Sequence, residues 1–440
     1  MGVRKVGLGF LSVAVLAAPM WTSWATGAEG AESVFIPNPS YRTGKYAVNG
    51  TPFANGFSDY LNMLNARDGG VEGVRIDTEE CEFGYNTPKG VECYERLKAK
   101  KPVVYGPLST GVTYKLVPKA PVDKIPVLSS GYGMSAAADG RWFPYVFNFP
   151  TSYWSQASAF IRFIGEEEGG LDKLKGKKVG LIFLESGYGR EPIPLLEKLA
   201  GQYGYEFQHF SVPGKEMEKQ QAQWRKIVRW KPDWLFMWGW GNMNRVAIRR
   251  ATEFGFPLNR FIGVWWSGAD SDTAPLGALA KGYRAGTFHA SDACCQVHKD
   301  ILEHVYGKGG GTDKATVGQV LYNRGVVTAM YMTEAVRDAV KKNGGKSVTG
   351  SQVRDAMEGL NLTEDRLKGL GFEGFTSPIK VTCADHEGGG PVMIQEWDGK
   401  KWTIVKRGVA PLREVVRPML EEAAVKEAGK LGYTKRENCT

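Results

Sequence analysis

The chain has 440 residues, 42% hydrophobic and 23% charged, a balance that excludes a disordered chain and points to ordered globular structure. Its net charge of +9 comes from basic residues interspersed with acids, as where Lys173 to Lys178 follow Glu166 to Glu168, so nucleic-acid binding through a basic stripe is excluded. A chain this long exceeds what one hydrophobic core organises, and two lobes are expected.

Arg4 and Lys5 precede an almost wholly apolar run, Val6 to Met20, and small residues follow around Ala25 and Ala28. That order predicts a secretory signal peptide over residues 1–28, cleaved near Ala25 to Ala28, and hence an exported protein in the periplasm. The run is shorter than the roughly 20 apolar residues of a membrane span.

A strand is expected over SVFIPNP, with Ser40 to Gly44 as its exit loop, then a helix over Phe53 to Asn65 and a second strand over Val74 to Asp77. Asn86-Thr87-Pro88 opens a helix with proline in its first turn. Pro102 to Gly106 and Ile125 to Leu128 read as the third and fourth strands, each followed by a polar loop, and Phe147 to Pro150 as a crossover. A second series starts with a helix over Tyr153 to Glu167 and a strand over Lys178 to Leu184, ending in Ser186-Gly187-Tyr188-Gly189. Further elements are a helix over Pro192 to Tyr203, a strand over Glu206 to Phe210 and a helix over Gln220 to Trp230.

Trp234 to Trp238 is an apolar run of buried-strand length, stopped by Gly239 and Gly241. Asn242-Met243-Asn244 offers N-cap chemistry to a helix ending at Gly255 and Pro257, and Phe261 to Trp266 reads as another strand. In βαβ units ligands bind at the carboxyl ends of the strands. Trp238, Trp240, Trp265 and Trp266 lie there and are expected to form one wall of a pocket. Past Gly282 the chain is expected to return to the first lobe. A long helix over Val317 to Lys341 follows, then a short one over Ser351 to Gly359. Strands over Pro378 to Thr382 and Val392 to Trp397 come next, the latter turning at Asp398-Gly399 into Lys401 to Lys406. A helix over Leu412 to Lys430 ends the chain. This repeated β-loop-α order is that of doubly wound parallel sheets.

Six cysteines in an exported protein are expected mostly to pair. A Cys81–Cys93 bridge would pin a strand end to the next helix. Adjacent cysteines rarely bond each other, so Cys294 and Cys295 are expected to reach distant partners, with Cys383 and Cys439 available. Cys294, Cys295 and His298 lack a second ligand pair at a zinc spacing, and no metal or cofactor is expected. No nucleophile elbow, phosphate loop or metalloprotease motif is present, so the chain reads as a non-enzyme.

The signal peptide, the two βα series and Tyr188-Gly189 after the second series' first strand come together with VVYGPLSTGVT, PVLSSGYG, KVGLIFLESGYG and DHEGGGPVMIQEWDGKKW, in that order. The whole resembles the leucine/isoleucine/valine-binding branch of the type I periplasmic binding proteins of ABC transporters. The resemblance implies an α/β fold of two doubly wound lobes joined by a three-segment hinge. The lobes would be 29–149 plus 286–376 and 150–285 plus 377–408, with 409–440 as a C-terminal helical extension. It implies a monomer that captures a small-molecule solute by lobe closure and delivers it to an inner-membrane ABC permease.

The family's contact positions fall on Leu108, Ser109 and Thr110 in one loop, on Gly131, Tyr132 and Gly133 in the next, and on Tyr188 and Trp240. Arg42 is a candidate for a ligand carboxylate. Trp265 stands where amino-acid binders of the family place an acid for the ligand's ammonium. A small aromatic or apolar carboxylate is therefore expected rather than leucine. The rival readings are a binding-protein-like sensor feeding a signalling partner, and an exported α/β hydrolase.

Overall fold

Short apolar strands alternating with helices assemble into one seven-stranded sheet and four two-stranded pairs, three of which together make up a first sheet, in the computed structural model, which describes residues 1–3 and 32–439. The expected signal peptide lies, from residue 4 onward, outside the described residues.

In the first sheet Ser33–Phe35 pairs in parallel with Arg75–Asp77, and Asn38–Ser40 with Glu80–Glu82. Val127–Leu128 pairs in parallel with Val146–Phe147. The expected strand over Pro102 to Gly106 is reduced to links between these pairs. The Val103 N–H donates to the Phe35 carbonyl at 3.0 Å, and Tyr105 bridges to Val127. The expected crossover at Phe147 thus begins only after one further strand.

The second sheet has seven strands in the spatial order Trp402–Val409, Val392–Trp397, Arg284–Thr287, Phe261–Gly263, Trp234–Trp238, Lys178–Leu184, Glu206–Val212. Trp234–Trp238 lies inside this sheet and is buried at every residue, which explains its unbroken apolar run. Phe236 and Trp238 pack on Phe160 of the helix Tyr153–Glu168, with ring centroids 5.5 and 5.8 Å apart. Leu235, pointing the other way, lies beside Gly180 together with Trp230 of the helix Gln221–Trp230. Arg284–Thr287 remains in this sheet, against the expectation that the chain leaves it after Gly282, because Val392–Trp397 pairs with it in antiparallel register. The chain crosses between the sheets after Phe147, returns after Thr287 and crosses again before Val392.

The helix Ala47–Asp68 packs against the helix Val320–Lys342 beside the first sheet. Gly56 and Gly325 make their close approach possible. A Cβ on Gly56 would lie 2.0 Å from the Tyr322 carbonyl oxygen, and one on Gly325 would lie 2.1 Å from that of Phe53. The C-terminal helix is Arg413–Leu431.

Cys81 and Cys93 are bonded as expected. Cys294 and Cys295 bond each other, contrary to expectation, and Cys383 bonds Cys439. The C-terminal segment brings Cys439 to Cys383, with Cα atoms 5.4 Å apart, which leaves the adjacent pair to itself. His298 is committed to Asn323, with Nε2 2.8 Å from Oδ1. No group of metal-ligating side chains occurs among the described residues.

Candidate functional site

Both sheets present the carboxyl ends of their parallel strands to one small cavity. The first sheet contributes Tyr41 beyond Asn38–Ser40, Tyr85 beyond Glu80–Glu82, the loop Leu108 to Thr110, and Tyr132 beyond Val127–Leu128. The seven-stranded sheet contributes Tyr188, Trp240 and Trp266, each just past a strand, and Tyr153 heads the helix after the first crossing. Seven of the ten lining residues are aromatic and none is charged, so recognition there rests on ring faces and neutral donors.

The cavity measures about 20 Å³, close to the ~10–15 Å³ that a single water requires. Anything larger enters only if the walls separate. One tie across the walls is the Trp265 indole N–H, which donates to the Gly131 carbonyl at 3.0 Å. A second is Glu191, which accepts from the Ser135 hydroxyl at 2.8 Å and from the Tyr114 phenol. A groove of about 570 Å³ flanks Glu191, between Trp154 and Glu427 of the C-terminal helix, but it lies open at the surface.

Burial raises the phenols of Tyr41, Tyr132, Tyr153 and Tyr188 well above their ordinary range, so they remain neutral donors. The Tyr188 hydroxyl is already committed to the Gly239 carbonyl at 2.9 Å, which leaves its ring as the contact surface. The indole N–H groups of Trp240 and Trp266 are buried and have no hydrogen-bond partner among the described residues. Buried donors of this kind call for an explanation, and a polar atom of a bound molecule would supply one.

Seven of the residues singled out in the sequence meet at this cavity: Leu108, Ser109, Thr110, Tyr132, Tyr188, Trp240 and, from the expected tryptophan wall, Trp266. Ser109 also caps the helix Thr110–Leu116, its hydroxyl accepting from the Val112 N–H. Leu108 has φ of 49°, a left-handed conformation uncommon for a residue with a side chain.

Five others, Arg42, Gly131, Gly133, Trp238 and Trp265, do not line the cavity. Arg42 turns to Glu80 and to the Asn55 side-chain oxygen at 2.7 Å. Gly131 lies behind Tyr132 because its carbonyl serves Trp265 and Gln156. Gly133 lies against Glu191, whose Oε1 would be 2.5 Å from an added Cβ. Trp265 is fully buried behind Trp266. The expected strand over Phe261 to Trp266 stops at Gly263, and a 3-10 turn over Trp265–Ser267 presents Trp266 in its place. Trp238 likewise points into the core rather than the wall. Asn242 begins its helix without a capping side chain, and Asn244 donates to Asp272 at 3.2 Å instead.

Tyr41, Tyr85 and Tyr153 were not singled out as contacts, although each sits where a strand or crossover ends. Asp270 and Asp272, the acids nearest Trp266 in the chain, stay out of the cavity. Asp270 accepts from the Val320 N–H at 2.8 Å, and Asp272 from the Ala269 N–H at 3.0 Å.

Residues 33–401 match the family model described as periplasmic binding protein. A solved structure described as an ABC transporter permease from the Pseudomonas fluorescens group is 38% identical. The match covers 92% of this chain and 99% of that one, with a TM-score of 0.87. A branched-chain amino acid ABC transporter structure from Thermus thermophilus with bound valine is 21% identical over 89% of this chain and 99% of that one, with a TM-score of 0.72. A solute-binding protein of an ABC transporter from R. palustris in complex with benzoate is 16% identical over 86% and 97%, with a TM-score of 0.66. No curated protein matches the chain by sequence.

Proposed function

The chain belongs to the periplasmic binding protein family, and from that premise we propose that it is the periplasmic receptor of an ABC importer of the branched-chain-amino-acid type, specific for a small aromatic or apolar carboxylate. One lobe is built on the first sheet and the other on the seven-stranded sheet, with the three crossings as hinge. A solute touching both lobes stabilises the closed form by its differential affinity for it. A signal peptide over residues 1–28 would direct the chain to the periplasm, and an inner-membrane permease would receive the solute.

The observation that carries the solute class is the cavity wall, which holds seven aromatic rings and no acid. An amino acid's ammonium enclosed there would be an unpaired buried charge, at a cost of several kcal/mol. A flat acid would instead stack on the rings and take hydrogen bonds from the Ser109 and Thr110 hydroxyls and from the indoles. That the same fold houses benzoate in the R. palustris protein supports the compatibility of such a cleft with an aromatic acid.

Calorimetric titration with leucine, isoleucine, valine, benzoate and 4-hydroxybenzoate tests this. The aromatic acids are expected to bind and the aliphatic amino acids to bind far more weakly. Tight leucine binding without a response to the aromatic acids would overturn the proposal.

A further inference from the structure

Arg324 stands in the second turn of the helix Val320–Lys342, and its side chain is among the largest fully buried ones in the molecule. Nε, Nη1 and Nη2 all lack a hydrogen-bond partner among the described residues. The guanidinium instead lies against two adjoining indoles, 4.5 Å from the Trp265 ring centroid and 4.9 Å from that of Trp266. Stacking of this kind contributes about 2 kcal/mol or more where the cation is desolvated. It satisfies none of the five N–H donors that a guanidinium carries.

The surrounding groups do not supply the missing acceptor. Asp272 is the carboxylate whose charge bears most on Arg324, yet its Oδ2 accepts from Asn244 and from the Ala269 N–H. Asp270 accepts from the Val320 N–H, at the start of Arg324's own helix. Burial and the nearby guanidinium push His289 down to about 3, so the imidazole is neutral, and its Nδ1 lies 2.8 Å from the Ala290 carbonyl. Desolvation in turn lowers Arg324 to about 9, which still leaves it charged at neutral pH.

Arg324 is close to the cavity but screened from it by one ring. Trp266 lines the main cavity and also a second one, shared with Thr328, which lies one helical turn beyond Arg324 on the same face. Tyr41, Tyr153 and Tyr188, all at the main cavity, feel the charge of the guanidinium. A rotation of the Trp266 ring would join the two spaces and uncover the planar fork of Arg324, whose geometry matches a carboxylate.

We infer that Arg324 is the anion-recognising residue of the cleft, its guanidinium pairing with the carboxylate of the bound solute when the Trp266 ring turns aside. This inference rests on the solute-receptor reading and adds to it the residue that selects a charged acid over a neutral analogue. It places the carboxylate at the Trp266 end and the apolar body among Tyr153, Tyr188 and Trp240.

Calorimetry with benzoate and with uncharged benzamide, on the full chain and on Arg324→Met, separates charge from shape. Benzoate binding is expected to weaken on the order of 100-fold in the variant, as when one partner of a buried charge pair is removed, while benzamide binding does not weaken. Arg324→Lys is expected to retain part of the preference for benzoate. Unchanged benzoate affinity in Arg324→Met, or equal affinity of the unmodified protein for the two probes, overturns the role of Arg324 and leaves the receptor reading intact.

If the unmodified protein binds neither probe, the solute class is at fault, and the melting temperature without ligand decides the role of Arg324. A cation held for a ligand predicts that Arg324→Met melts at or above the unmodified protein. A marked drop would make Arg324 part of the fold's own stability and overturn the inference.

Discussion

The Trp265 indole N–H donates to the Gly131 carbonyl at 3.0 Å, so a residue of the seven-stranded sheet's loops is bonded to the main chain of a loop from the first sheet. Gly131 has φ of 66°, and a Cβ added there would lie 2.5 Å from the Trp265 ring. Gly131→Ala therefore meets both a left-handed conformation, costing about 1–2 kcal/mol, and an indole in the way. The variant is expected to close poorly. Small-angle scattering should show a larger radius of gyration and calorimetry a weaker response to solute. Trp265→Phe, which removes only the N–H, should have a milder effect of the same sign. A Gly131→Ala protein as closed and as competent as the parent would show that this contact does not hold the jaws.

Glu191 makes the second tie, through Ser135 and Tyr114. Its backbone carbonyl also accepts from the Trp154 indole at 2.8 Å, so the side chain is presented from a fixed position. Glu191→Ala leaves three donors, the Tyr114 and Ser135 hydroxyls and the Ser135 N–H, without their acceptor, a loss of about 1–3 kcal/mol where such groups are buried. Faster solute release with an almost unchanged association rate is the expected stopped-flow result. A change confined to association would argue against a latch.

Tyr188 separates ring from hydroxyl. Because its O–H serves the Gly239 carbonyl, Tyr188→Phe should reduce stability by about 1 kcal/mol and leave solute affinity nearly intact. Tyr188→Ala should remove most of the binding. If Tyr188→Phe abolished binding while melting normally, the hydroxyl and not the ring would be the contact.

Burial raises Asp272 from the ordinary carboxyl range to about 7. A carboxyl held higher in the folded chain than in the unfolded one contributes stability that is full below its unfolded pKa and is lost as pH rises through its folded value. Unfolding free energy should therefore decline between about pH 4 and pH 7 by on the order of 4 kcal/mol from this group. The Asn244 amide and the Ala269 N–H favour the ionised form, as does Arg324, while Asp270 opposes it. In Asp272→Asn the decline should flatten in denaturant titrations across that range. An equally steep decline in the variant would assign it to other groups.

The three disulfides should differ in weight. Cys383–Cys439 spans 56 positions and ties the end of the chain beyond the C-terminal helix to the body, whereas Cys294–Cys295 closes a loop of adjacent residues. Replacing Cys383 and Cys439 by serine should cost about 2–4 kcal/mol, since long loops lose most on cross-linking. The same change at Cys294 and Cys295 should cost much less. Equal losses, read by denaturant unfolding, would show that chain entropy is not the governing factor.

Much of the architecture was legible in local sequence. Lys178–Leu184 and Trp234–Trp238 fall on the runs that announced them, and Asn86 caps its helix as its spacing suggested, because strand length, helical period and capping are set by residues close together in the chain. The loops Leu108 to Thr110 and Tyr132, with Tyr188 and Trp240, were named through the family resemblance, and they line the cavity because parallel strands put their exit loops at one end. Arg324 left one faint trace, a lone charge in VLYNRGVVTAMYM, an otherwise uncharged stretch of the helix.

The order of strands and helices, and the end of the sheets at which the exit loops meet, were determined by the sequence alone, since both follow from periodicity and turn chemistry. Only the tertiary structure decided which of two neighbouring tryptophans faces the cavity, which cysteines meet, and that a buried guanidinium lies against two indoles. A side chain's direction at a strand end depends on a single turn, and its partners come from segments hundreds of residues away. No local pattern records either.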